Sequence, residues 1–205
     1  MRAKDVMTHP AVTVGPETPV KTAAAMLAEH GFTALPVVDE DERLVGIVTE
    51  ADVMRGRIPR DPRSRLYREA PPPASPPATV GEVMTTTVTA MPPGADLADI
   101  ATVMLEKNIR SVPVVEGSRV VGVVTRRDLV RVLAREDTVI AADVRHRLEI
   151  YGGLGRWTVR VEHGVVTVED EFDDPTDQQV ARTLALAVPG AQDVRTLVRR
   201  KEEWG

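Results

Sequence analysis

The chain has 205 residues and a formal net charge of −5, which leaves room for one or two units of ordinary size and gives no general electrostatic reason to expect a nucleic-acid partner. It contains no cysteine. Disulfides, thiol catalysis and cysteine-held metal or iron-sulfur sites are therefore excluded. Aromatic residues make up only 3%, so the apolar content lies in Val, Ala and Leu, as suits small αβ units whose cores are completed by packing on one another.

The first residues carry a charge at Asp5, where a signal peptide would place its apolar core, and no later run resembles a membrane span. The expectation is a cytoplasmic protein. After Asp5-Val-Met-Thr8, the stretch Pro16-Glu-Thr-Pro19 predicts a helix start with Thr18 as N-cap and Pro19 at the first helical position. Val20, Ala23, Ala24 and Leu27 recur at helical spacing, and Gly31 is a natural left-handed stop. A strand over 33–38, a polar turn at Asp39–Glu42 and a strand over 45–48 follow. Thr49-x-x-Asp52 then has the form of a capping box, with Thr49 at the N-cap and Asp52 at N3 of the next helix.

Residues 55–68 hold six arginines, and residues 71–77 are rich in proline. The proline run predicts an extended tether, and the arginines predict either a solvated basic loop or a phosphate-facing patch.

The first pattern then returns. Glu82-Val-Met-Thr85 answers Asp5–Thr8, Val112-Pro-Val-Val115 answers Leu35–Val38, and Val121-Gly-Val-Val-Thr125-x-x-Asp128 answers Val45–Asp52. The offset is 77 residues for the first two matches and 76 for the third. Such a shift is what a duplicated unit with one hairpin turn trimmed by a residue would show. Leu97, Ile100, Ala101 and Met104 supply the second helix face, and Asn108 stands where Gly31 stood.

These motifs, in the same order twice, resemble the tandem CBS-domain pair, or Bateman module. The boundaries expected are a first unit at 1–56, an Arg/Pro-rich linker at 57–79 and a second unit at 80–135. The resemblance implies an α/β (α+β) fold in which two CBS units pair about a pseudo-twofold axis, and a homodimer. It also implies binding of an adenosine nucleotide as a regulatory ligand: AMP or ATP, with ADP, a dinucleotide and S-adenosylmethionine open. The site residues it implies are Thr49 and Asp52 with Thr125 and Asp128 at the strand-to-helix corners, the aspartates accepting the ribose hydroxyls. The flanking segments add Thr8, Thr13, Thr85 and Thr89. Thr33 and Ala34 open one strand, Arg110 and Ser111 the other, and Arg110 offers a cation to a polyphosphate.

Residues 138–200 read as a further unit. A short helix around Asp143–Leu148, strands over 157–161 and 165–168 about a His163-Gly164 hairpin turn, a helix capped at Asp174-Pro175, and a strand over 194–198 give the order α-β-β-α-β. This resembles a BON domain, with Asp170 near the position where that family usually has glycine. The resemblance implies contact with a phospholipid surface or a protein partner, and the acidic stretch 169–177 opposes an anionic membrane.

His9, His30, His146 and His163 are scattered, with no spacing suited to a metal, and no motif places a nucleophile beside a base. The chain is expected to have no catalytic or metal site. A ligand sensor acting on an unidentified downstream protein is the first reading, and an adaptor with empty clefts is the alternative.

Overall fold

The computed structural model describes residues 1–55, 57–58 and 77–198. The expected arginine cluster from Arg60 onward, nearly all of the proline run and the charged tail lie outside the described residues. The chain divides into two compact units, Met7–Arg126 and a second formed by Met1–Val6 with the chain from Arg127 onward.

In the first unit, helix α1 (Val20–His30) buries Val20, Ala23 and Leu27 along one face. It starts one residue later than the sequence predicts, with Pro19 as N-cap. The Thr18 hydroxyl accepts the Gly15 N–H at 3.2 Å and so closes the preceding turn instead of capping the helix. Gly31, at φ 64°, ends it in the left-handed conformation. Strands β1 (Ala34–Val38) and β2 (Leu44–Thr49) pair antiparallel, and helix α2 (Glu50–Met54) follows.

The second copy supplies α3 (Leu97–Glu106), capped by the Asp96 carboxylate on the Ala98 N–H, and then β3 (Ser111–Glu116) and β4 (Arg119–Thr125). The registers match: Val37 faces Gly46 as Val114 faces Gly122. The second turn is reduced to Gly117 and Ser118 between paired Glu116 and Arg119. This is the trimmed hairpin that the change of offset predicts.

Each copy has the expected helix, hairpin and helix, and the copies complete one another through their opening segments. Thr85, from the opening of the second copy, exchanges both backbone hydrogen bonds with Ile47 on β2, each at 2.9 Å. Thr8 does the same with Val123 on β4, at 2.9 and 3.1 Å. Val80 accordingly sits in the same buried cluster as Ala23, Leu35, Val37 and Val48. Arg43 and Arg119 hold equivalent places in the repeat, and they pair with each other as an antiparallel bridge. Two equivalent residues can face one another only across a twofold relation. The pseudo-twofold pair is thus present.

Helix α4 (Arg126–Leu133) leads into the second unit. There, α5 (Asp137–Gly152) is far longer than the short helix expected, because Ile140, Val144 and Leu148 extend one buried face over three turns. Strands β5 (Thr158–Glu162) and β6 (Val165–Asp170) are antiparallel, and β7 (Asp193–Val198) joins β6 in parallel after helix α6 (Pro175–Leu186). His163 and Gly164, at φ 50° and 77°, make the two-residue hairpin turn. Its tip is tied to α5 by the Asp137 carboxylate, which accepts both of their N–H groups at 2.7 and 2.9 Å. Asp174 caps α6 with Pro175 in its first turn, as read.

Asp170, where the BON resemblance expects glycine, is the last residue of β6 and is 1% exposed. Arg156 holds both of its oxygens, from Nε at 2.7 Å and Nη2 at 2.6 Å. No tight turn is needed there, since Asp170 remains in register with Val198. Among the described residues, no helix is long and apolar enough to cross a membrane.

Candidate functional site

The corner where β2 becomes α2 is fixed by its own side chains. The Asp52 N–H donates to Thr49 Oγ1 at 3.3 Å, while Asp52 Oδ2 accepts from the Thr49 N–H at 3.0 Å and from its hydroxyl at 2.7 Å. Both halves of the capping box are made, satisfying donors that an uncapped helix would leave free. Asp52 is 6% exposed, and its Oδ1 lies 3.7 Å from the Arg55 guanidinium.

Beside this corner is a cavity of about 450 Å³, a size common for small-molecule sites. The first copy contributes Thr33, Ala34, Ile47, Thr49, Glu50, Ala51 and Met54, and the second contributes Thr85, Thr87, Val88, Thr89 and Asn108–Ser111. The exchange of opening segments explains the mixture, because the Thr85–Ile47 pairing carries the stretch 85–89 onto the first copy's corner. The floor is stitched by a 2.7 Å hydrogen bond between the Thr33 and Ser111 hydroxyls. Glu50 and Arg110 are the charged residues among the described lining, and they approach to 3.9 Å. At one side, Lys107 Nζ donates to Thr89 Oγ1 at 2.9 Å. Arg126 is committed to the carbonyls of Ile109 and Met104, at 3.0 and 2.9 Å.

Thr33, Ala34, Thr49, Thr85, Thr89, Arg110 and Ser111 are thus gathered around one cavity, drawn from both copies. Asp52 is not on its wall but behind Thr49. Arg110 lines the cavity at the first copy's corner, although it belongs to the second copy. Thr8 is engaged with β4 through Val123, and Thr13 precedes the bridge residue Val14. Thr125 closes β4. Asp128 lies in the first turn of α4, 7% exposed, with Oδ1 3.4 Å from Arg131. The sequence reading passed over Glu50 and Ala51, which sit inside the Thr-x-x-Asp motif. A motif counted only by its fixed ends hides what its variable positions face. Asn108 was read as a helix stop, which it is at φ 51°, but it also lines the cavity.

A duplicated α/β unit, exchanging its opening segments about a pseudo-twofold axis and enclosing a cleft beside a Thr-x-x-Asp corner, defines a paired regulatory module. The family model described as CBS domain matches residues 3–58 and 80–135, and the chain belongs to that family. Hypoxic response protein 1 of Mycobacterium tuberculosis is 30% identical over 131 residues, covering 63% of this chain and 82% of that protein. Among solved structures, the CBS domain pair of protein MJ0100 in complex with 5′-methylthioadenosine and S-adenosyl-L-methionine is 30% identical with a TM-score of 0.52, over 64% of this chain and 94% of that one. The structure of CBSX2 in complex with AMP is likewise 30% identical with a TM-score of 0.52, over 63% and 93%. The module is a regulatory one and not an enzyme.

Proposed function

We propose that the protein is a sensor whose first-corner cavity binds an adenosyl ligand and transmits its presence through the paired CBS units. The observation that carries this reading is the cavity itself, which draws polar strand-opening residues from both copies, so that a ligand there would touch both halves of the pair at once. The complexes of MJ0100 and CBSX2 with methylthioadenosine, S-adenosylmethionine and AMP support the ligand class. The base would lie against Val88 and Ile47, with the threonine hydroxyls available to the sugar. Asp52 Oδ2 is spent on the cap and Oδ1 faces the Arg55 guanidinium at 3.7 Å, so a ribose hydroxyl is proposed to reach Oδ1 past Thr49 in place of Arg55, as a charge-assisted bond. By the logic of the repeat, Thr125 with the segment 8–13 is proposed to serve a second ligand, and Asp128 is proposed as the counterpart of Asp52.

The unit from α5 to β7 is proposed to be a BON-like output domain, on the strength of its α-β-β-α-β order. Exposed Ile150, Leu154 and Phe172 favour a protein partner for it, and acidic Glu171, Asp173 and Asp174 oppose an anionic membrane. A homodimer belongs to the same reading, supported by Leu105 on α3, which is 71% exposed. Sedimentation showing only monomer at micromolar concentration would remove the dimer from the proposal.

Mass spectrometry of small molecules released by denaturing freshly purified protein tests the ligand class. An adenosine derivative in stoichiometric amount is expected. Absence of any such compound, together with no stabilisation of the protein by added AMP, would contradict the proposal.

A further inference from the structure

We propose that Glu50 sets the charge selectivity of the first-corner cavity, weakening an adenosyl ligand in proportion to the phosphate charge it carries. The inference rests on the adenosyl reading and goes beyond it by naming the residue that sets the charge preference. The carboxylate narrows whatever preference the cations give to di- and triphosphates over adenosyl thioethers, sulfoniums and monophosphates.

Arg110 is the cation among the described lining residues, and it does not stand alone. Its Nη1 lies 3.9 Å from Glu50 Oε2, one residue from each copy, so an anion drawn to Arg110 meets a carboxylate at the same place. The other cations nearby keep their charge but have donors engaged on neutral protein acceptors. Arg126 donates to two backbone carbonyls and to Asn108 Oδ1. Lys107 holds Thr89 from outside the wall. The corner itself has few amide donors to offer a phosphate, because the Glu50 N–H donates to the Thr33 carbonyl at 3.3 Å and the Asp52 N–H is taken by Thr49.

The residue at the place of Glu50 in the second corner is Arg126, of opposite sign. The carboxylate is therefore a property of this cavity and not of the repeat. Glu50 and Arg110 have side chains 49% and 69% exposed, so solvent weakens their field without removing it. One carboxylate beside one phosphate at such a rim changes affinity by about three- to tenfold.

The experiment is calorimetric titration of adenosine, AMP and ATP into the full chain and into Glu50→Gln, at fixed ionic strength, with the melting temperature of each protein recorded. Glu50 is exposed, and the variant is expected to fold as the parent does. Adenosine affinity should stay within about twofold of the parent, AMP should tighten about three- to tenfold, and ATP by more than AMP. Arg110→Gln should act in the opposite direction on the two nucleotides. An E50Q effect equal for all three ligands, or none, overturns the inference while leaving the adenosyl reading standing. No heat from any of the three with folded parent protein overturns both.

Discussion

Met84 lies against Gly46 so closely that a Cβ built on the glycine would stand 2.5 Å from the methionine Sδ and 3.2 Å from the Thr85 carbonyl oxygen. Met7 meets Gly122 in the same way, at 2.5 Å and, for Thr8, 3.1 Å. The glycine of one copy and the Val-Met-Thr of the other are thus two sides of one contact, which is where the opening segments cross. A methionine side chain can yield, but the backbone oxygen behind it cannot easily do so. Gly46→Ala and Gly122→Ala are each expected to destabilise the pair by about 1–3 kcal/mol, read by urea unfolding. Parent-like stability in both would mean that the crossing is looser than described.

The capping box at α2 gives a second expectation. Asp52→Ala removes the acceptor for the Thr49 N–H and hydroxyl, and a loss of about 0.5–2 kcal/mol should follow even without ligand. Asp52→Asn keeps part of the cap. Comparing the two with and without AMP separates the corner's stability from its proposed contact with ribose. If AMP stabilises D52N as much as the parent, Asp52 is only a cap.

In the α5–β7 unit, Arg156 joins Asp170 and Asp177, at 2.6 and 2.5 Å from Nη2, and stacks over Trp157 at 4.3 Å. The Asp170 side chain is 2% exposed. Arg156→Ala leaves a buried carboxylate unpaired and should destabilise this unit by about 3–5 kcal/mol. Combining Arg156→Met with Asp170→Asn removes both charges and should be milder than R156A alone. A double variant as damaged as the single one would point to lost packing on Trp157 in place of lost charge pairing.

The same cluster predicts a pH dependence. The Arg156 guanidinium, and after it the Tyr151 hydroxyl, hold the Asp177 carboxyl below its ordinary value of 3.8. A carboxyl with a lowered folded pKa stabilises fully above its unfolded value and loses that contribution as pH falls through the folded one. The stability gap between the parent and Asp177→Asn should therefore be constant at neutral pH and close below about pH 4. A gap that widens on acidification would reverse the assignment.

Much of this was legible in the chain because it rests on local chemistry. Gly31, Asn108, the Thr49–Asp52 box, the His163-Gly164 turn and the Asp174-Pro175 start each depend on residues within a few positions of one another. The shift of offset from 77 to 76 located the shortened turn. What could not be read was long-range. Nothing in Val83-Met84-Thr85 says that it pairs with Ile47 and not with its own copy, so the corner that Arg110 and Glu50 share is not visible in the sequence. The length of α5 was also hidden. Its charged residues interrupt the apolar pattern, and only the sheet beneath shows that Ile140 and Leu148 share a face.

The most direct test of the central claim is calorimetric titration of AMP into the full chain and into Ala51→Trp. Ala51 is an exposed residue on the cavity wall, where an indole would fill the space without disturbing the core. The account predicts saturable binding to the parent with a Kd of about 1–100 μM, and at least about tenfold weakening in A51W at an unchanged melting temperature. No heat with the parent, or equal binding by a well-folded A51W, would contradict it.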